Sequence, residues 1–313
     1  MRLRFHLLLF ITLLFSWELT QNIIFADNWA VIIGIKEYPY LKRYYGKASD
    51  IPFADKDAKD FKNLLVELGG FKEGNINLLI NKEASGDNIK KYISDLQKKT
   101  KLEDKVIIYF SGHGTQVNTK DEDEEDGLDE CIVAYDGYKR PNYRLKSKIN
   151  GVISDDELKS WIKNIQSRYK AVVLDCCFSG QFDKNTNNSN LISSGLSEID
   201  EDIVYICCST EGMPQNPLYE NSIFTYYLIE SCKKKESLTL LEAFECAKNT
   251  FLTEIGRPPE LPESFPFFKI IGNKKIGEEI YLVDSNYIKQ KKIEIEEKRE
   301  IIRNKIKWGP SIF

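Results

Sequence analysis

Val106-Ile-Ile-Tyr-Phe-Ser-Gly-His-Gly114 and Ala171-Val-Val-Leu-Asp-Cys-Cys-Phe-Ser-Gly180 decide the fold. Each begins as a short, nearly continuous apolar run rich in β-branched residues and ends in glycine and polar groups. A strand of a parallel sheet, buried on both faces, has that composition. Four more runs read the same way: Ala30–Ile35, Ile76–Ile80, Ile203–Cys208 and Phe267–Ile271. Between them, Phe53–Leu68, Asp87–Lys98, Ser154–Gln166, Ser222–Lys233 and Leu238–Thr253 carry apolar residues at helical spacing, as Phe61, Leu64, Leu65 and Leu68 do in the first. Ser154 with Glu157 fits a capping box opening its helix. Strands alternating with helices give an α/β fold, a three-layer αβα sandwich around a mainly parallel six-stranded sheet. One such core over residues 27–272 displaces the two domains that length alone suggests.

Composition narrows the function. The chain has 313 residues, 42% hydrophobic and 29% charged, with a formal net charge of −4. That excludes a wholly disordered, collagen-like or multi-spanning chain and shows no basic footprint for nucleic acid. It has 2 histidines, of which His6 lies in a leader-like stretch. His113 is left to do any imidazole chemistry, and a multi-histidine metal site is excluded.

Residues 1–26 open with Arg2 and Arg4 and continue into the apolar run Leu7–Phe15. This is the pattern of a secretory signal peptide cleaved after Ala26, implying a secreted or periplasmic protein; the other reading is a retained anchor, which would bring the chain to a membrane. The 7 cysteines include the adjacent pairs Cys176-Cys177 and Cys207-Cys208, which is not the spacing of a disulfide framework. They read as buried small hydrophobes, one of them a reactive thiol. Two inserts interrupt the strand–helix rhythm: residues 115–150, acidic and then rich in Lys and Arg, and the Asn/Ser-rich loop Gln181–Glu201. Residues 273–313 form a charged helical tail with Ile288, Ile295 and Ile302 seven apart, either a solvated helix laid on the core or a partner-binding one.

The two deciding stretches bring an imidazole and a thiol to the carboxyl edge of the sheet, where open α/β sheets bind ligands. A thiol acts as thiolate, and a neighbouring imidazole can take its proton. The arrangement is a Cys–His pair for acyl transfer. Its alternative is a buried cysteine beside a satisfied histidine.

Tyr109-Phe-Ser-Gly-His-Gly114 and Leu174-Asp-Cys-Cys-Phe-Ser-Gly180 resemble the two signature segments of the caspase-like cysteine peptidases, closest to the metacaspase branch and, with Phe178 after the nucleophile, to its bacterial-type members. The resemblance runs from Trp29 to Gly272 and implies the caspase-like fold. Aligned on Asp-x-Cys-x-Ser-Gly it makes Cys177, not Cys176, the nucleophile and His113 the general base and acid. The backbone N–H groups of Gly114 and Cys177 become the oxyanion hole, and a backbone carbonyl can orient His113. Asp175 stands where true caspases carry glutamine; with Ser111 and Asp57 it would line the pocket that selects Arg or Lys at the cleaved bond. Asp57 also reads as a carboxylate at a helix N-terminus. The implied activity is a cysteine-type endopeptidase acting on peptides or proteins with a basic P1 residue. The competing function is a catalytically silent caspase-like domain serving as a binding or scaffolding module.

The chemistry needs no cofactor, but the resemblance offers calcium as an activator. The acidic run Asp121–Glu130 fails as an EF-hand, because its twelfth position is Val133 where a bidentate glutamate is needed. Metacaspases use instead an Asp-Gly-x-Asp-Glu segment with a later Asp-Asp-Glu. Asp129, Asp155 and Asp156 match three of those ligands and Asp183 only approximately the fourth; otherwise Asp155 and Asp156 are first-turn acids of a helix. The interval from His113 to Cys177 exceeds the about 50 residues of the caspase signature, and the surplus falls in a loop around residues 139–150. Self-processing is a further expectation. Lys184 follows the nucleophile, and Lys139, Arg140, Arg144, Lys146 and Lys148 crowd the other insert.

Overall fold

Alternate residues of each central strand enter different cores, and the architecture follows from that. The computed structural model describes residues 26–118, 128–137, 151–177, 202–209, 220–254 and 267–307. The six main strands are β1 (Asn28–Gly34), β2 (Ile76–Ile80), β3 (Lys105–Asn118), β6 (Tyr169–Cys177), β7 (Ile203–Ser209) and β9 (Phe267–Gly272). They lie in the order β2-β1-β3-β6-β7-β9, all parallel except β9, which runs antiparallel to β7.

Ala30, Ile32, Ile107, Tyr109, Val173 and Ile206 face one core with helices α2 (Ala54–Glu67), α5 (Ile223–Lys233) and α6 (Leu240–Glu254). Val31, Ile33, Ile108, Phe110, Val172 and Tyr205 face the other, with α3 (Gly86–Lys99) and α4 (Asp155–Lys163). The expected αβα sandwich and mainly parallel six-stranded sheet are therefore present. Each fully buried Ile or Phe side chain contributes about 1.5–3 kcal/mol relative to exposure.

The described residues of the insert expected at 115–150, 115–118 and 128–137, include strand rather than insert alone. β3 does not stop at Phe110 but runs on to Asn118, leaving the parallel sheet to pair antiparallel with β4 (Leu128–Val133), which in turn pairs with β5 (Val152–Ser154). A strand that leaves the sheet and carries Gly114, Thr115 and Gln116 loses the continuous apolar signature, which is why it reads as loop. α4 opens as expected, with Ser154 Oγ accepting the Glu157 N–H at 3.2 Å.

The first residues of the helix expected at Leu238–Thr253 form β8 (Leu238–Thr239), paired with β10 (Tyr281–Val283). Short α1 (Pro39–Tyr45) and α7 (Lys274–Glu279) complete this part of the molecule. Ile276, Ile280, Leu282 and Val283 are buried in the α2–α5–α6 core, so the packed unit continues past residue 272. Helix α8 (Ser285–Lys307) docks by its first turn, where Tyr287 Oη donates to Val66 O at 2.9 Å and Ile288 packs on the core. Ile293, Ile295 and Ile301 are exposed. The leader, Asp183 and all six Lys and Arg self-processing candidates lie outside the described residues.

Candidate active site

Strand register does the first assembly. In the β3–β6 ladder Ser111 stands opposite Asp175 and His113 opposite Cys177, the last residue of β6. Neighbouring strands are about 4.8 Å apart, so imidazole and thiol residues of the two motifs become lateral neighbours. Cys176, one residue earlier, is 3% exposed and belongs to the apolar cluster with Phe110 and Tyr205. His113 thus sits inside a strand, at the point where β3 leaves the parallel ladder, rather than beyond a strand end.

His113 is held on two sides. Its Nε2 lies 2.8 Å from Ser49 O. A carbonyl only accepts, so Nε2 carries the hydrogen and Nδ1 is left as the acceptor. Its backbone N–H donates to the Tyr38 hydroxyl at 2.7 Å, and Tyr38 Oη donates to Val133 O at 3.3 Å. The Tyr38 and His113 rings are 4.6 Å apart, tilted by 53°. Gly112 makes room for this contact: a Cβ there would lie 2.5 Å from Tyr38 Oη and 2.7 Å from the Phe110 ring. Burial pushes the His113 pKa down to about 4, against smaller upward pulls from the Ser49 carbonyl and the Asp50 carboxylate. The imidazole is therefore neutral at neutral pH, the form that accepts a proton.

A second cluster lies on the same side of the sheet as α2 and α5. Asp57 and Asp175 are both buried, 1% and 7% exposed. Asp57 accepts from Ser111 Oγ at 3.1 Å, Asn221 Nδ2 at 2.9 Å and Ser222 N at 2.9 Å. Asp175 accepts from Ser222 Oγ and from Thr225 Oγ1 at 2.8 Å, and Tyr109 Oη lies 2.6 Å from Thr225 Oγ1. The three expected pocket residues Asp57, Ser111 and Asp175 are thus brought together. Asp57 is also in the first turn of α2, where its reading as a carboxylate at a helix N-terminus puts it.

Local backbone explains how Asp57 arrives. Phe53 enters α2 in the left-handed region, φ 74°, a conformation costing about 1–3 kcal/mol for a non-glycine residue. α2 also packs so closely on the end of β1 that a Cβ at Gly34 would lie 2.6 Å from Ala58 Cβ. Burial and then the Asp175 charge push Asp57 up to about 8, while hydrogen bonds from Asn221, Ser222 and Ser111 pull it down. Burial raises Asp175 to about 6, against the pull of Ser222 and Thr225. Two like charges in one dry pocket resist ionising together.

Asp129, Asp155 and Asp156 fall on the antiparallel arm. Asp129 is in β4, and Asp155 and Asp156 open α4. Burial raises the Cys131 thiol, and the carboxylates of Asp129, Asp155, Glu130 and Glu157 raise it further, so these acids surround Cys131. Among the described residues no three His, Cys, Asp or Glu side chains are grouped so as to hold a metal ion.

Tyr38, Ser49, Asn221, Ser222 and Thr225 were not legible from sequence. They lie at helix starts or, for Ser49, at the end of a short 3-10 helix (Gly46–Ser49), where apolar period is silent. The one available signal was Ser222 as the opening residue of α5, whose Oγ caps Thr225 N–H at 3.1 Å.

A family model of the caspase domain matches residues 27–264. Metacaspase-4 of Arabidopsis thaliana is 29% identical over 158 residues, 48% of this chain and 33% of that protein. Metacaspase-3 of the same plant is 30% identical over 164 residues, covering 50% and 41%. Metacaspase-1 of Pyricularia oryzae is 26% identical over 159 residues, covering 48% and 36%. The match spans well under half the length of these curated relatives. The crystal structure of protein GSU0716 from Geobacter sulfurreducens superposes with a TM-score of 0.54 at 19% identity, covering 79% of this chain and 94% of that one, a likeness of fold.

Proposed function

The chain belongs to the caspase-domain family, on its metacaspase side, and from that premise we propose that it is a cysteine endopeptidase cleaving after Arg or Lys. One observation carries the reading: the β3–β6 register pairs His113 with Cys177 and, two residues earlier, Ser111 with Asp175. Reacting pair and selectivity pocket share one pair of strands.

In this reading the neutral His113, its Nε2–H engaged by Ser49 O, takes the Cys177 thiol proton. The thiolate attacks the scissile carbonyl carbon, forming the C–S bond as the carbonyl oxygen becomes an oxyanion. Backbone N–H groups of Gly114 and Cys177 receive that charge, donors each worth roughly 3–4 kcal/mol in other enzymes. Collapse breaks the C–N bond, the imidazolium protonates the leaving amine, and water activated by His113 releases the acid and restores the thiol. Asp57 and Asp175 face the P1 guanidinium or ammonium, a charge-assisted contact that is strong when desolvated.

Peptide reporters with P1 Arg, Lys or Asp test this directly. Wild type and Cys176→Ala hydrolyse the basic reporters and Cys177→Ala does not. Hydrolysis by Cys177→Ala would end the nucleophile assignment, and equal cleavage after Asp would end the specificity. A thiol-directed probe that fails to label Cys177 in a folded protein would favour the silent binding module.

A further inference from the structure

Behind the Asp57–Asp175 pocket a groove of about 410 Å³ runs between α2 and α5, lined by Lys56, Asp60, Asn63, Asn221 and Tyr226 among others. Asn221 lines the groove and also reaches Asp57; the residue is 7% exposed. Nδ2 donates to Asp57 Oδ1 at 2.9 Å and to Asp60 Oδ2 at 3.0 Å. Oδ1 accepts from Lys56 Nζ at 3.5 Å, and Lys56 Nζ is paired with Asp60 Oδ2 at 2.6 Å. Only one orientation of the amide serves these neighbours: reversing it would set oxygen against two carboxylates and NH₂ against an ammonium. Lys56, Asp57 and Asp60 share one turn of α2, so a short chain of polar contacts runs from a partly exposed ion pair to a buried pocket carboxylate.

We propose that Asn221, oriented by the Lys56–Asp60 pair, is a positioning residue that sets the affinity of the pocket for a basic P1 side chain. The inference rests on the peptidase reading and extends it to residues that touch neither substrate nor nucleophile. Its physical content is the state of Asp57. The titratable groups acting on Asp57 are Asp175 from β6 and Tyr109 from β3; just before α5 it meets the neutral donors Asn221 and Ser222, and Lys56 and Asp60 of its own helix reach it through Asn221. Asn221 supplies one of three hydrogen bonds that favour the ionised form. Without it, burial and the Asp175 charge act less opposed, and the carboxylate needs a higher pH to meet a cation.

The test measures kcat and KM for a P1-Arg reporter from pH 5.5 to 9 in wild type, Asn221→Ala, Lys56→Met, Lys56→Arg and the groove control Asn63→Ala. Asn221→Ala raises KM near neutral pH by about 5–30-fold, the factor that corresponds to about 1–2 kcal/mol. It changes kcat by no more than about twofold and moves the acid limb of kcat/KM to higher pH. Lys56→Met shifts KM and the limb in the same direction by less; Lys56→Arg restores both, and Asn63→Ala superimposes on wild type. A purely structural role would lower the melting temperature and leave KM and the limb in place, and that result overturns the proposal. Should Asn221→Ala not fold, an unchanged profile in Lys56→Met overturns it instead. Absence of P1-Arg cleavage by wild type refutes the peptidase reading and this inference with it; cleavage with superimposed profiles refutes the inference alone.

Discussion

Two groups of carboxylates flank β3, and they are held by different means. Asp57 and Asp175 accept hydrogen bonds from residues 47 to 165 positions away, on β3 and at and just before the start of α5. On the antiparallel arm the donors are nearer in the chain: Asp155 Oδ1 accepts from Asp156 N at 3.0 Å, and Glu130 Oε1 from Gln116 Nε2, across the β3–β4 pair, at 2.9 Å. Donors brought from distant elements fix two carboxylates at a set separation, which is what recognition of a cation needs. Local donors shape a helix start and a hairpin.

The largest expected effect on this contrast comes from Asp175→Asn, which removes a buried carboxylate that the proposed function sets against a P1 cation. Such losses cost about 2–5 kcal/mol, so kcat/KM on a P1-Arg reporter falls roughly 30- to 4,000-fold. Asp155→Asn, on the arm, changes it by no more than about twofold while lowering stability by about 1 kcal/mol through the α4 first turn. Equal loss of P1-Arg cleavage in the two variants would erase the distinction. So would a rise in melting temperature with calcium that Asp155→Asn abolishes, because it would make the arm a binding site as well.

Next in size is the support of His113. Tyr38→Phe deletes the acceptor for the His113 N–H, a buried hydrogen bond whose loss costs about 1–3 kcal/mol. kcat falls by about 10-fold with KM for the basic reporter held, which separates positioning of the base from cation recognition. A fall in cation affinity alone would place Tyr38 with the pocket.

The smallest effect is on stability against pH. Asp57 and Asp175 have folded pKa values raised to about 8 and about 6. The native state therefore binds more protons than the unfolded chain, and their stabilisation, complete at low pH, is lost as pH rises through those values. His113 has the opposite sign. Its folded value of about 4 lies below the usual 6.5, so its contribution is present above 6.5 and lost as pH falls. Between pH 6.5 and 8 the acid pair acts without that opposition. The melting temperature of the free protein falls over this window, and Asp57→Asn flattens the slope. An unchanged slope in Asp57→Asn would show that the pair does not share a proton.

Much of this arrangement is legible in the chain itself. His113, Cys177, Ser111 and Asp175 can be read because each lies within a few residues of a continuous apolar strand, so motif and element are found together. Asp57 is legible only as one of two alternatives, since a first-turn acid on a helix looks the same in sequence whether it caps or recognises. The arm β3–β4–β5 is not legible, because a strand with a polar face next to an acidic run has the composition of a loop. Burial of Ile276 through Val283 is missed for a related reason: β10 gains its meaning from β8, some forty residues earlier.

The sequence alone determined the alternation of strands and helices, the layered α/β fold, and an imidazole and a thiol each following a strand-like run. Apolar periodicity and short motifs are local properties, set by side-chain hydration and backbone geometry within a few residues. Only tertiary structure decided that Ser49 orients His113, that Tyr38 fills the space opened by Gly112, and that Asn221, Ser222 and Thr225 close over Asp57 and Asp175. Those contacts join residues far apart in the chain. Their cause is the desolvation of buried polar groups, each of which must find its partner in whichever element the packed sheet brings against it.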